Sequence, residues 1–66
     1  MIKLRRLSDM EIIINSDLIE LVEATPDTII TLTSGRKVVV LESVDEVIDK
    51  VIEYKRKIYY NFTEKD

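Results

Sequence analysis

The chain has no cysteine, no histidine and no tryptophan, one glycine, one proline, and three tyrosines and one phenylalanine as its only aromatics. Without cysteine there are no disulfides and no thiol chemistry; without histidine the commonest zinc ligand and general base is missing. The single Gly35 cannot build a phosphate-cradling loop, which needs several glycines. No apolar run approaches the roughly 20 residues of a membrane helix. The longest are Ile12-Ile13-Ile14 and Val38 to Leu41. The basic opening, Lys3 with Arg5 and Arg6, is not followed by the apolar segment of roughly 7–15 residues that marks an export signal. A cytoplasmic protein without membrane insertion is therefore expected. The net charge of −3, ten basic against thirteen acidic residues, argues against electrostatic capture of nucleic acid.

What is present is β-branched. Ten Ile and seven Val stand against six Leu, and such side chains suit pleated, half-buried surfaces. Sixty-six residues make one small domain. A chain this short hides only about 60% of its unfolded surface, so it leans on a metal, a disulfide or self-association. The first two are disfavoured by composition. Self-association is the route left.

Pro26 and Gly35 each fall where an apolar run pauses. Ile2 to Leu7 starts as an alternation, Ser8-Asp9 signals a turn, and Met10 to Ile14 resumes as a strand, predicting a hairpin. Asn15-Ser16-Asp17 offers side chains that bond to nearby backbone, favouring a turn or one helical turn. Leu18 to Ala24 reads as a third strand, with Ile19 and Leu21 on one face and Glu20 and Val22 on the other. Thr25-Pro26-Asp27 is a turn, Thr28 to Thr33 a strand, Ser34-Gly35 a tight hairpin turn, and Arg36 to Leu41 the returning strand.

Ser43-Val44-Asp45-Glu46 matches a capping box, in which Ser and Glu satisfy free backbone donors reciprocally. Val44, Val47, Ile48, Val51, Ile52, Ile58 and Tyr59 then follow helical spacing, with Lys55 as the charged member of the stripe. Acidic Asp45, Glu46 and Asp49 come early and basic Lys55, Arg56 and Lys57 late, each charge worth about 0.3–1 kcal/mol against the helix dipole. Glu46–Lys50 and Glu53–Lys57 are spaced as helical ion pairs. Residues 61–66 read as a polar C-terminal tail behind a domain of 1–60. The expected architecture is α+β: about five short antiparallel strands forming a curled sheet, followed by one C-terminal amphipathic helix.

One helix covers one sheet face, yet the strands carry apolar residues on both. Each Ile or Val left in water forgoes about 1.5–3 kcal/mol of burial. A homo-oligomer is therefore predicted, with the second sheet face (Ile13, Ile29, Val39, Leu41) or the sheet edges meeting another subunit. Lys55, Arg56, Lys57, Tyr59 and Tyr60 form a second candidate surface for a protein partner, since aromatics are enriched at interface centres. Catalytic chemistry is not expected. Ser8, Ser16, Ser34 and Ser43 each sit at a turn or cap, and Asp45, Glu46, Asp49 and Glu53 are spaced as a solvated helix face. No catalytic, cofactor-binding or metal-binding residue is assigned, and no cofactor.

Ile19-Glu20, Glu23, Pro26-Asp27-Thr28, Ile30-Thr31-Leu32, Gly35, Val39-Val40, Glu42-Ser43, Glu46-Val47 and Ile52 to Tyr54 together resemble the FlbD family. This is the small flagellar-operon family also called SwrD for its link to swarming. The likeness runs from Ile2 to about Ile58, with Leu4, Arg6, Leu7 and Asn15 matching its opening. Its most telling segment is Thr25 to Leu32, followed by Gly35 and Glu42-Ser43. The family's common Asn-Gly first turn is Ser8-Asp9 here, and the aromatic common in its second strand is Ile12. The resemblance implies a bacterial cytoplasmic protein, associated with the flagellar base, that supports motor power or torque through contacts with motor or stator proteins. It implies no enzyme activity. The competing reading is a small Sm-like β-module that assembles into a ring and binds RNA through Lys3, Arg5, Arg6 and the Lys55–Tyr60 segment.

Overall fold

A computed structural model describes the backbone of residues 1–64 and the side chains of residues 1–59. Residues 61–64 of the expected tail continue the C-terminal helix, residues 65–66 lie outside the described residues, and the side chains from Tyr60 onward lie outside the described side chains. Five strands precede one helix: β1 (Ile2–Arg5), β2 (Glu11–Ile14), β3 (Ile19–Ala24), β4 (Thr28–Leu32), β5 (Lys37–Val40) and α1 (Val44–Glu64). A 3-10 turn, Ser16–Leu18, links β2 to β3, and Asn15 caps it by accepting the Asp17 N–H at 3.0 Å. That is the local bonding expected of Asn ahead of a turn.

The predicted hairpins form, and all neighbouring strands are antiparallel. The curled sheet does not. The strands divide into a two-stranded piece, β1-β2, and a three-stranded piece in the order β3-β4-β5. One antiparallel bridge, Arg6 to Val40, joins them. Around it, Leu7 N–H donates to the Val39 carbonyl at 3.3 Å and Leu41 N–H to the Arg5 carbonyl at 2.7 Å. The ladder then stops for a chemical reason. The Arg5 N–H donates to the Glu42 carboxylate, at 3.0 and 3.1 Å, and so finds a side-chain acceptor in place of another strand. A curl needs a continuous ladder through its middle, and here the two pieces meet end to end.

A second correction concerns β3. The register shifts between Ile19 and Leu21, so Ile19 lies opposite Leu32 while Leu21 lies opposite Thr31. The extra residue, Glu20, exchanges the faces of everything after it, because side chains alternate with a period of two. Ile19 and Val22 therefore pack toward the core, and Leu21 is exposed.

Ile2, Leu4, Ile14, Ile30, Val38, Val40 and Val47 form the core, and Ile30 is fully buried at 0% exposure. Directly opposed residues of an antiparallel ladder share a face. The pairs Ile2–Ile14, Leu4–Ile12 and Val22–Ile30–Val38 thus define the side on which α1 lies. The helix contributes Val47, Val51 and Tyr54, spaced four and three residues apart, to that core. Its start matches the capping box: Glu46 N–H donates to Ser43 Oγ at 3.1 Å, and Ser43 N–H to Glu46 Oε1 at 2.8 Å. The molecule measures 44 × 22 × 18 Å. At 1.5 Å per residue α1 is about 31 Å long, longer than the sheets need, and residues 55–59 are all exposed.

Candidate functional site

The helix-free face of the sheet carries the residues that alternate with the core. Ile29 and Val39 are direct partners in the β4–β5 ladder and are half-buried. Leu41 lies two residues beyond Val39 and is exposed. The structure also brings in Leu7, 60% exposed, whose N–H bonds to the Val39 carbonyl across the seam between the two sheet pieces. No local pattern in the sequence flags Leu7, because it follows the first strand and its neighbour is 32 residues away. Ile13, also 60% exposed, does not join this group. It lies on β2 opposite Lys3 of β1, two strands over and several residues along. Three of the four expected sheet-face residues therefore share one apolar area, with Leu7 added and Ile13 apart.

The C-terminal candidates separate as well. Lys55 reaches Asp17 of the 3-10 turn, Nζ to Oδ1 3.9 Å. Together with Tyr59 and Ile58 they border a shallow depression. Lys57 lies on another side of α1, beside Met1, Lys3 and Glu53. Arg56 is exposed, and the side chain of Tyr60 is outside the described ones. A single basic-aromatic patch is not formed by the described side chains.

Three cations named for phosphate binding face carboxylates instead. Lys3 Nζ lies 3.9 Å from Glu11, Arg5 Nη1 3.1 Å from Asp9, and Lys55 3.9 Å from Asp17. All three pairs are exposed and contribute little stability, on the order of 0–1 kcal/mol each. They do cancel charge locally. The helical pairs Glu46–Lys50 and Glu53–Lys57 do not close as ion pairs. Glu46 instead is held by Ser43, whose backbone N–H first and hydroxyl second keep its carboxyl below the ordinary value, with the charge of Lys50 adding to the effect.

Among the described residues no three His, Cys, Asp or Glu side chains converge on a point able to hold a metal ion. No helix among them is long and apolar enough to cross a membrane. Ser16 Oγ and Thr31 Oγ1 are buried without a hydrogen-bond partner. Ser16 borders the same depression as Lys55, but that ammonium reaches Asp17 and no base hydrogen-bonds to either hydroxyl, so neither reads as a nucleophile.

No curated protein and no solved structure matches the chain. The family model for "FlbD: Flagellar and Swarming motility proteins" matches residues 1–59. That span takes in both hairpins, the seam between them and the described side chains of α1, so the chain belongs to the FlbD family of flagellar and swarming motility proteins.

Proposed function

We propose that this chain is a non-enzymatic accessory protein of the bacterial flagellum. It acts in the cytoplasm at the flagellar base and supports motor power or torque by contact with a motor or stator protein. The docking surface is the helix-free face around Val39, Ile29, Leu7 and Leu41. The carrying observation is that a member of a motility family keeps these four apolar side chains side by side on the face its own helix leaves uncovered. Single exposed apolar residues are ordinary, whereas adjoining ones mark interaction sites. Asp45, Glu46, Asp49 and Glu53 are spread along a solvated helix, and Lys3, Arg5 and Lys55, three of the six cations suited to RNA, face acidic partners.

Leu7 and Leu41 are exposed, so Leu7→Glu and Leu41→Glu leave the fold intact. In cells carrying the double variant, torque measured on tethered cells is expected to fall to the level of the deletion strain at unchanged protein abundance. Full torque in the double variant, or in the deletion strain itself, would remove this proposal.

A further inference from the structure

The apolar stripe of α1 is wider than the sheet beneath it. Val47, Val51 and Tyr54 pack inward, while Ile48 and Ile52, 46% and 48% exposed, lie on an adjoining row that borders Ser16, Ile19 and Val22 and continues to Lys55 and exposed Tyr59. The row runs 48, 52, 55, 59, a 4-3-4 spacing. That is the 3.5-residue repeat a coiled-coil seam requires, and it runs beside the inner row 47, 51, 54 that the domain's own core takes up.

Charge along the row decides what fits it. Asp45, Glu46, Asp49 and Glu53 against Lys50 leave the first half of the helix net acidic, and Lys55, Arg56 and Lys57 against Glu64 leave the second half net basic. A parallel neighbour of the same kind would set like charges together. An antiparallel one sets each acidic half against a basic half, twice, about one two-fold axis.

We infer that α1 pairs antiparallel with α1 of a second copy of this chain through Ile48, Ile52 and Tyr59. In that register Ile48 of each chain packs on Tyr59 of the other, and Ile52 packs on the aliphatic stem of Lys55. Asp49 flanks the seam opposite Arg56 of the second copy. The pairing leaves the Val39 face free, so self-association and partner docking use different sides of the molecule. It also replaces the sheet-face oligomer predicted from the sequence with one built on the helix.

The full chain is the material for the test, and sedimentation equilibrium at tens of micromolar is the measurement. The wild type is expected at twice its 7.7 kDa mass, and Ile48→Lys with Ile52→Lys at the single mass with unchanged circular dichroism. Asp49→Arg alone and Arg56→Asp alone each weaken the dimer at least about tenfold, and mixing the two variants restores it, because opposite charges then meet at both ends. Since the chain has no cysteine, single cysteines report orientation. Ile52→Cys, near the axis, cross-links to its copy. Asp45→Cys does not, since the two copies of residue 45 stand about 25 Å apart in this register. A monomeric wild type, a dimer that survives Ile48→Lys with Ile52→Lys, a mixture that stays monomeric, or cross-linking through Asp45→Cys would each overturn the pairing.

Discussion

The β1–β2 and β4–β5 hairpins close with the same backbone turn built on different residues. In the first, Arg6 N–H donates to the Met10 carbonyl and Asp9 N–H to the Arg6 carbonyl, at 2.8 and 2.7 Å. In the second, Leu32 N–H donates to the Arg36 carbonyl and Gly35 N–H to the Leu32 carbonyl, both at 2.8 Å. Each loop has three residues, and the third is left-handed: Asp9 at φ 67 and Gly35 at φ 92. Asp tolerates this region because its short polar side chain bonds locally, here to Arg5 Nη1, whereas Gly has no Cβ to oppose it. Asp9 alone has positive φ in the first loop, which excludes a type I′ turn, since that needs two such residues. Loop length and the closing bonds set the geometry, and the residue at the third position only tunes its cost.

The hairpins differ more in their surroundings. β4 has a strand on each side, and its Ile30 lies at the centre of the core. The β1–β2 hairpin is tied to the larger sheet by a short seam at one end, and β2 leaves Ile13 in solvent. Ile30→Ala is expected to cost about 2–5 kcal/mol in urea denaturation, and Ile13→Ala to stay within about 0.5 kcal/mol. Equal costs would mean that the β2 face is covered in solution and would end the contrast. Gly35→Ala should cost about 1–2 kcal/mol through backbone conformation alone, because an added Cβ meets nothing within 4 Å.

The seam itself is open to a sharper test. Glu42→Ala removes the acceptor of the Arg5 N–H, for an expected loss of about 1–2 kcal/mol. Amide exchange at Arg5 should accelerate about tenfold while the amides of β4 keep their protection. Uniform acceleration would show that the hairpin and the three-stranded sheet open as one unit. The smallest effect is expected from Asp9→Gly, a change below about 0.5 kcal/mol. Relief of the left-handed conformation there offsets loss of the exposed Arg5 pair. A destabilisation as large as that of Gly35→Ala would mean that the Asp9 side chain, not loop length, closes the first turn.

Much of this molecule follows from short-range rules. The capping box at Ser43 and Glu46, the helical stripe after it, the 3-10 turn behind Asn15 and the hairpin ends at Ser8-Asp9 and Ser34-Gly35 all involve residues within four positions of one another. The partners of these bonds are close in sequence, so local preference is enough to indicate them. The flagellar family was legible too, because its signature from Thr25 to Leu32 is contiguous. The candidate site was legible only in part. Alternation placed Ile29, Val39 and Leu41 on one face, but Leu7 joins them through a seam that alternation cannot reveal.

The sequence by itself therefore determined the element types, the turn positions, the helix cap and the excess of Ile and Val over what one helix can cover. Tertiary structure alone decided that Glu20 bulges and turns Leu21 outward, and that Glu42 takes the Arg5 amide and ends the ladder. It also decided that the uncovered apolar rows lie on both the sheet and the helix. Those outcomes depend on register between segments up to 37 residues apart. A one-residue slip there exchanges the buried and exposed faces of a strand, and no local preference selects among such registers.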